Sequence, residues 1–190
     1  MPNDVPSDQE ILDRFAHIVA ESLQIDSAKV TGDAYLNDLG AESLDLMEIT
    51  LEVEEEFNIL VPQKNILQTA QEMVGEGVLV KDGTITEQGR RLISARLPEI
   101  APRTSGELTV NDLNRMFLQV GSWVRMVSRL MEHTPRVCGG CGQTFGKQVA
   151  GRLKCKACAE EHDIPSGDDL NRRWLQQYCR DESLSAQGAS

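Results

Sequence analysis
The sequence predicts a mainly α chain: a small helical bundle with an inserted helix and hairpin segment, then a compact cysteine module and a terminal helix. Three observations predict it. Capped stretches with apolar residues at helical spacing recur from residue 8 to residue 132. A single Asp82-Gly83 turn between short β-prone runs marks one hairpin. Two Cys-x-x-Cys pairs, Cys138/Cys141 and Cys155/Cys158, fall in residues 135–158, which hold five bases and no acids.

At the front of the chain, Ser7-Asp8-Gln9-Glu10 reads as a capping box, in which Ser and Glu satisfy the free amides of a helix start. Leu12, Phe15, Val19 and Leu23, flanked by Ile11 and Ile18, give a first helix from about residue 8 to about residue 24. A polar loop through Asp26, Thr31, Gly32, Asp33 and Asn37 leads to a second helix, Ser43 to Phe57. That helix is apolar at Leu46, Ile49, Val53 and Phe57, acidic on its other side, and closed by Pro62.

Residues 66–76 form a short amphipathic helix, and Val78-Leu79-Val80 pairs with Thr84-Ile85-Thr86 around the Asp-Gly turn. Thr86 caps a helix through Leu92, Ile93 and Leu97, stopped by Pro98. After a loop of turn formers from Ala101 to Glu107, Thr109 with Asp112 caps another short helix, which Gly121 is expected to break. Val120, Val124, Val127 and Met131, widened by Trp123, Met126 and Leu130, define the next helix. Residues 133–137 read as a linker, and Asp168 or Asp169 starts a last helix over Leu170 to Tyr178.

A chain of 190 residues bounds the fold to one or two domains. No run approaches the ~18 apolar residues of a membrane span. Residues 1–6 have neither the basic nor the apolar region of a secretory leader, so a cytoplasmic protein is expected. The net charge of −11 is uneven: residues 1–60 carry −13 and residues 135–158 carry +5. Acid at the front disfavours nucleic acid as a partner and favours basic protein surfaces. Five cysteines without a secretory context point to metal rather than to disulfides.

The stretch Asp38-Leu39-Gly40-Ala41-Glu42-Ser43-Leu44-Asp45 sets a serine at a loop-to-helix junction. Gly40 allows a sharp turn, and Leu39 and Leu44 are expected to pin both sides of the junction into the core. An exposed hydroxyl there is reachable by another protein, and the helix start tolerates a phosphodiester because its amides and dipole favour negative charge. Ser43 as a plain N-cap is the alternative.

With Glu48, Glu54-Glu55-Glu56-Phe57 and Pro62, this stretch resembles the acyl carrier protein family, densely over residues 8–62. The resemblance implies a four-helix bundle with a long first loop, and 4′-phosphopantetheine attached at Ser43 from coenzyme A by a Mg-dependent transferase. It implies a carrier without catalytic activity of its own, holding acyl groups as thioesters for fatty-acid, lipid or polyketide synthesis. Its partners would be the phosphopantetheine transferase and acyl-transferring or ketosynthase-type enzymes. Two features depart from the family: Glu42 stands where Asp is usual, and about 50 residues, roughly 62–108, precede the segment 120–132 that looks like the last bundle helix.

Glu42, Asp45, Glu48, Glu52, Glu55 and Glu56 form an acidic side of the second helix. It reads either as a solvated face or as a docking surface for Lys/Arg patches. Like charges three or four residues apart, with no basic partner on the same face, favour docking. Phe15, Ile18, Leu46, Ile49, Val53, Val124 and Val127 are core candidates that could also shelter an acyl chain.

Cys138, Cys141, Cys155 and Cys158 can converge tetrahedrally on one structural zinc, with glycines 139, 140 and 142 permitting the tight turn. The pattern resembles a zinc ribbon over residues 138–158. An iron site, two redox pairs and adventitious metal remain open at this point. His162 reads as a surface residue and Cys179 as packed at the last helix. The expected organisation is a carrier domain over 1–134, a ribbon module over 135–163, a terminal helix over 164–182 and a disordered tail over 183–190. Two alternatives are carried: a peptidyl carrier for aminoacyl groups, and a ribbon module for protein or nucleic acid that keeps the bundle as scaffold.

Overall fold
The computed structural model describes residues 5–98 and 106–182, so the expected tail at 183–190 and most of the 101–107 loop lie outside the described residues. Among the described residues are seven α-helices and two small antiparallel strand pairs, a mainly helical fold. The chain divides into two compact units, residues 1–61 with 118–167, and residues 62–117 with 168–190.

In the first unit, α1 spans Asp8–Leu23 and opens on the expected box: Glu10 N donates to Ser7 Oγ at 3.3 Å, and Ser7 N to Glu10 Oε2 at 2.8 Å. Its buried face is Ile11, Phe15, Ala16, Ile18 and Val19; Leu12 and Leu23 sit at the margin of that face, half-buried. The second helix, α2 (Ser43–Phe57), buries Ile49, Val53 and Phe57. A later helix, α6 (Val120–Glu132), buries Val120, Val124, Val127, Leu130 and Met131. These stripes, with Leu36 and Ile59 fully buried, make one core.

The long first loop is held to the start of α6 by backbone hydrogen bonds. Leu36 N donates to Leu118 O at 2.9 Å, Val120 N to Ala34 O at 2.9 Å, and Gly121 N to Gly32 O at 2.8 Å. Gly121 therefore does not break a helix. It is the second residue of α6, and a Cβ there would lie 2.8 Å from Gly32 O. Close approach of two backbones, rather than helix termination, is what requires glycine. Residues 133–137 are also not a slack linker, because Thr134 is buried and donates from Oγ1 to Leu130 O at 3.0 Å.

The cysteine module belongs to the same unit. Strands β3 (Arg152–Lys154) and β4 (Glu161–Asp163) pair antiparallel around the second Cys-x-x-Cys, and a Val137–Thr144 bridge flanks the first.

The second unit has its own core. Helix α3 (Ile66–Val74) is followed by the hairpin β1 (Val80–Lys81) and β2 (Thr84–Ile85), turning at Asp82-Gly83 as expected. Thr86 caps α4 (Glu87–Arg96), and Thr109 with Asp112 caps α5 (Val110–Phe117). Leu67, Leu79, Ile85, Leu92, Ile93 and Leu113 pack together with Leu175 of α7 (Gly167–Asp181). That helix starts one residue ahead of the expected Asp168, whose carboxylate accepts from Gln63 N and Lys64 N at 3.0 and 3.2 Å. No described helix is long and apolar enough to cross a membrane.

Candidate functional site
The serine junction is built from the loop outward. Leu36 is fully buried and accepts from Ala41 N at 2.9 Å, which closes the loop immediately before the helix. Gly40 sits at φ +99°, in the region that penalises a side chain, so the sharp turn read from the sequence is present. Glu42, not Ser43, is the N-cap residue; its amide donates to Asp45 Oδ2 at 2.7 Å.

Ser43 is the first helical residue and is exposed. Among the described residues its hydroxyl makes no hydrogen bond. The first amides of a helix lack intrahelical acceptors and favour an anion. An accessible alcohol beside them fits a phosphodiester-linked group.

Leu44 departs from expectation. It is 78% exposed rather than pinned in the core. Leu36 takes the anchoring place, and Leu39 is half-buried. Leu44, Met47 (64% exposed) and Leu51 (65% exposed) recur at i, i+3 and i+7 on the side of α2 away from Ile49, Val53 and Phe57. The sequence contains this second apolar stripe, but assigning Leu44 to the core and leaving Met47 and Leu51 unassigned hides it.

The acids of α2 divide along its length. Glu42 and Glu48 are exposed, and Asp45 holds the helix start. Burial raises the Glu52 carboxyl above its ordinary range, with Glu48, Glu21 and Glu55 adding to the effect. Glu55 and Glu56 do have basic partners, against the sequence expectation. Lys147 Nζ lies 3.2 Å from Glu55 Oε2, and Arg14 Nε donates to Glu56 Oε1 at 2.8 Å while its guanidinium covers Phe57. Both partners come from segments distant in sequence, which helix periodicity cannot reveal. A cleft of about 230 Å³, lined by Arg14, Glu56, Phe57, Met131 and Phe145 among others, also lies at this end of α2. Along the axis that end is ~20 Å from Ser43. Of the candidates for acyl shelter, Leu46 is only half-buried and the other six are packed in the core.

The four cysteine sulfurs lie within 4.8 Å of one another. Cys138 and Cys158 approach to 3.4 Å, as do Cys141 and Cys155. Backbone N–H groups of Cys158 and Ala157 point at Cys155 Sγ and hold that thiol down at about 6. This is a donor set for a four-thiolate metal site, with amides supporting the charge on sulfur. One neighbour, Glu160, escaped the sequence reading, and another, His162, is placed differently from it. Glu160 Oε2 lies 3.1 Å from both Cys138 Sγ and Gly140 N. His162 is half-buried rather than a surface residue, edge-on to Phe145 at 5.0 Å with Nε2 3.3 Å from Glu160.

An acyl carrier protein of Guillardia theta is 40% identical over 78 residues, 38% of this chain and 96% of the relative. The chain belongs to the acyl carrier protein family. Acyl carrier proteins of Helicobacter pylori and Prochlorococcus marinus are each 42% identical, over 65 and 59 residues. Those matches cover 34% and 30% of this chain, and 78% and 74% of the two relatives. The family model described as "Phosphopantetheine attachment site" matches residues 13–75. No solved structure matches.

Membership of the acyl carrier protein family supports a carrier role and phosphopantetheine as the group carried. The match contains the serine junction and reaches α3 in the second unit; α6 and the cysteine module lie beyond it.

Proposed function
We propose that this protein carries acyl groups as thioesters on a 4′-phosphopantetheine arm esterified to Ser43. The observation that carries the reading is the exposed, unbonded Ser43 hydroxyl at the first position of α2, behind the Gly40 turn and inside the family match. The arm, once attached, supplies a thiol that activates the acyl group for chemistry done by other enzymes.

The residues of this chain anchor, orient and recruit. Ser43 provides the alcohol, Gly40 and Leu36 hold it clear of the core, and the free amides of α2 receive the phosphodiester charge. Glu42, Asp45, Glu48 and Glu52 with Leu44, Met47 and Leu51 form the surface for a transferase and for acyl-transferring or ketosynthase-type enzymes carrying basic patches. Glu55 and Glu56 contribute less, being paired. Fatty-acid, lipid or polyketide synthesis in the cytoplasm is the setting we assign, with no catalytic step performed by this chain.

Cys138, Cys141, Cys155 and Cys158 hold a structural zinc in this reading, since four thiolates leave no open position. A nucleic-acid role for the module is disfavoured by its ion pairs. Arg152 meets Asp163 at 3.1 Å and Glu161 at 3.5 Å, Lys154 meets Glu161 at 3.7 Å, and Lys147 meets Glu55.

Incubation with coenzyme A, magnesium and a phosphopantetheine transferase, read by intact mass, tests the carrier assignment. Wild-type protein gains one arm and Ser43→Ala gains none. Wild-type protein that stays bare, or a Ser43→Ala variant that is modified, refutes the assignment.

A further inference from the structure
We propose that the cysteine ribbon is a metal-dependent brace on the C-terminal end of α2; the proposal rests on the zinc reading above. An α-helix ends with carbonyls that lack intrahelical donors. Here α2 stops at Asn58, which adopts the left-handed conformation at φ +53°. The ribbon segment between Cys141 and Cys155 meets that end. Gln148 Nε2 donates to Glu54 O and to Ile59 O, each at 3.3 Å, and Gln148 N donates to Asn58 Oδ1 at 2.7 Å. Asn58 Nδ2 returns a bond to Gly146 O at 3.2 Å, and Lys147 pairs with Glu55. Gln148 is itself fixed, accepting at Oε1 from Gly151 N at 2.8 Å.

These contacts serve two purposes. They tie down the turn that ends α2, adding a donor at Glu54 O beside the Asn58 and Ile59 amides and holding the Asn58 side chain from both sides, and they neutralise the distal acid of its outer face.

The brace depends on the metal because the ribbon has little else to fold around. Between residues 138 and 164 the buried side chains among the described residues are Cys138, Leu153, Cys155 and Ile164, and two of these are ligands. So small an apolar set does not order a chain without a cross-link or metal. Without metal the 142–154 segment loses its two fixed ends, and Gln148 and Lys147 leave α2. The far end of α2 then frays and Glu55 becomes an unpaired acid, while the Ser43 end, ~18 Å away along the axis, keeps its own cap.

Hydrogen exchange of the full-length protein, run beside metal counting by native mass spectrometry, tests this. One zinc per wild-type chain is expected. Removing it with EDTA should raise exchange of amides 54–61 about tenfold, the size of losing one or two net hydrogen bonds, while amides 11–19 of α1 change little. Gln148→Ala, with zinc still bound, should raise exchange at 54–61 several-fold. Zinc removed with amides 54–61 unchanged, or a Gln148→Ala protein indistinguishable from wild type, overturns the brace and leaves the zinc reading standing. Purified protein that binds no zinc overturns both.

Discussion
Replacing Gly121 by alanine separates two accounts of one residue by the sign of the effect. If Gly121 were merely an exposed helix glycine, alanine would stabilise α6 by about 1 kcal/mol. In the structure the new Cβ would lie 2.8 Å from Gly32 O, a backbone atom with no rotamer to adopt. Either the first loop moves away or α6 does. That overpacking costs about 1–3 kcal/mol, and stretching the Gly121 N to Gly32 O bond, now 2.8 Å, costs about 1 kcal/mol more. After the propensity gain the net is about 2 kcal/mol of destabilisation, a fall of roughly 4–8 °C in midpoint for a chain of this size. Gly32→Ala is the control, since nothing lies within 4 Å of its Cβ position. Urea unfolding followed by Trp123, which packs 5.5 Å from Phe15, reports the first unit once Trp174 is replaced by phenylalanine. A Gly121→Ala protein as stable as wild type, or more so, refutes the close-approach argument.

Two further perturbations test the packing and the charge. Gly89→Ala drives a Cβ into Leu79 O and to 2.7 Å from Ile85 Cγ2. About 3 kcal/mol should be lost from the second unit, measured as urea unfolding by Trp174 fluorescence; a loss under about 1 kcal/mol contradicts the contact. Glu52→Gln should stabilise the protein at neutral pH. Burial, then Glu48, Glu21 and Glu55, raise this carboxyl in the folded state, so ionising it opposes folding as pH rises above the ordinary value of 4.5. A gain of a few tenths of a kcal/mol is expected at pH 7, disappearing below about pH 4.5. Equal gains in urea unfolding at pH 7 and pH 4 would show that charge is not the cause.

Local signals in the chain were sufficient for most elements. The Ser7–Glu10 box, the Asp82-Gly83 turn and the Thr86 and Thr109 caps are side chains acting on backbone three or fewer residues away, so their chemistry is written in adjacent letters. The Ser43 junction and the paired Cys-x-x-Cys turns were legible for the same reason. Features that depend on distant segments were not. Gly121 matters because of Gly32, Glu55 because of Lys147, and Glu56 because of Arg14. Leu44 is a different case: residue type suggests burial, but the buried face of α2 is already filled by Ile49, Val53 and Phe57. The unit boundaries were hidden too, since α3 falls within the family match yet packs with α7.

On the proposed reading, the arrangement of charge and apolar surface gives α2 a direction. Three exposed apolar residues on a short helix have a cost in water, because each could gain about 1.5–3 kcal/mol on full burial. A monomer with no partner has no use for that stripe. Leu44, Met47 and Leu51 lie within nine residues of Ser43, bordered by Asp45, Glu48 and Glu52. Further along, Lys147 and Arg14 offset Glu55 and Glu56. Net negative field is therefore strongest near the serine and weakest at the braced end. Long-range charge guides encounter, and the desolvated apolar stripe then holds the complex. A basic partner drawn to the strongest field arrives beside Ser43, where its active site must be to reach the group carried there. If the same acids had stayed unpaired along all 15 residues of the helix, attraction would be as strong at the wrong end.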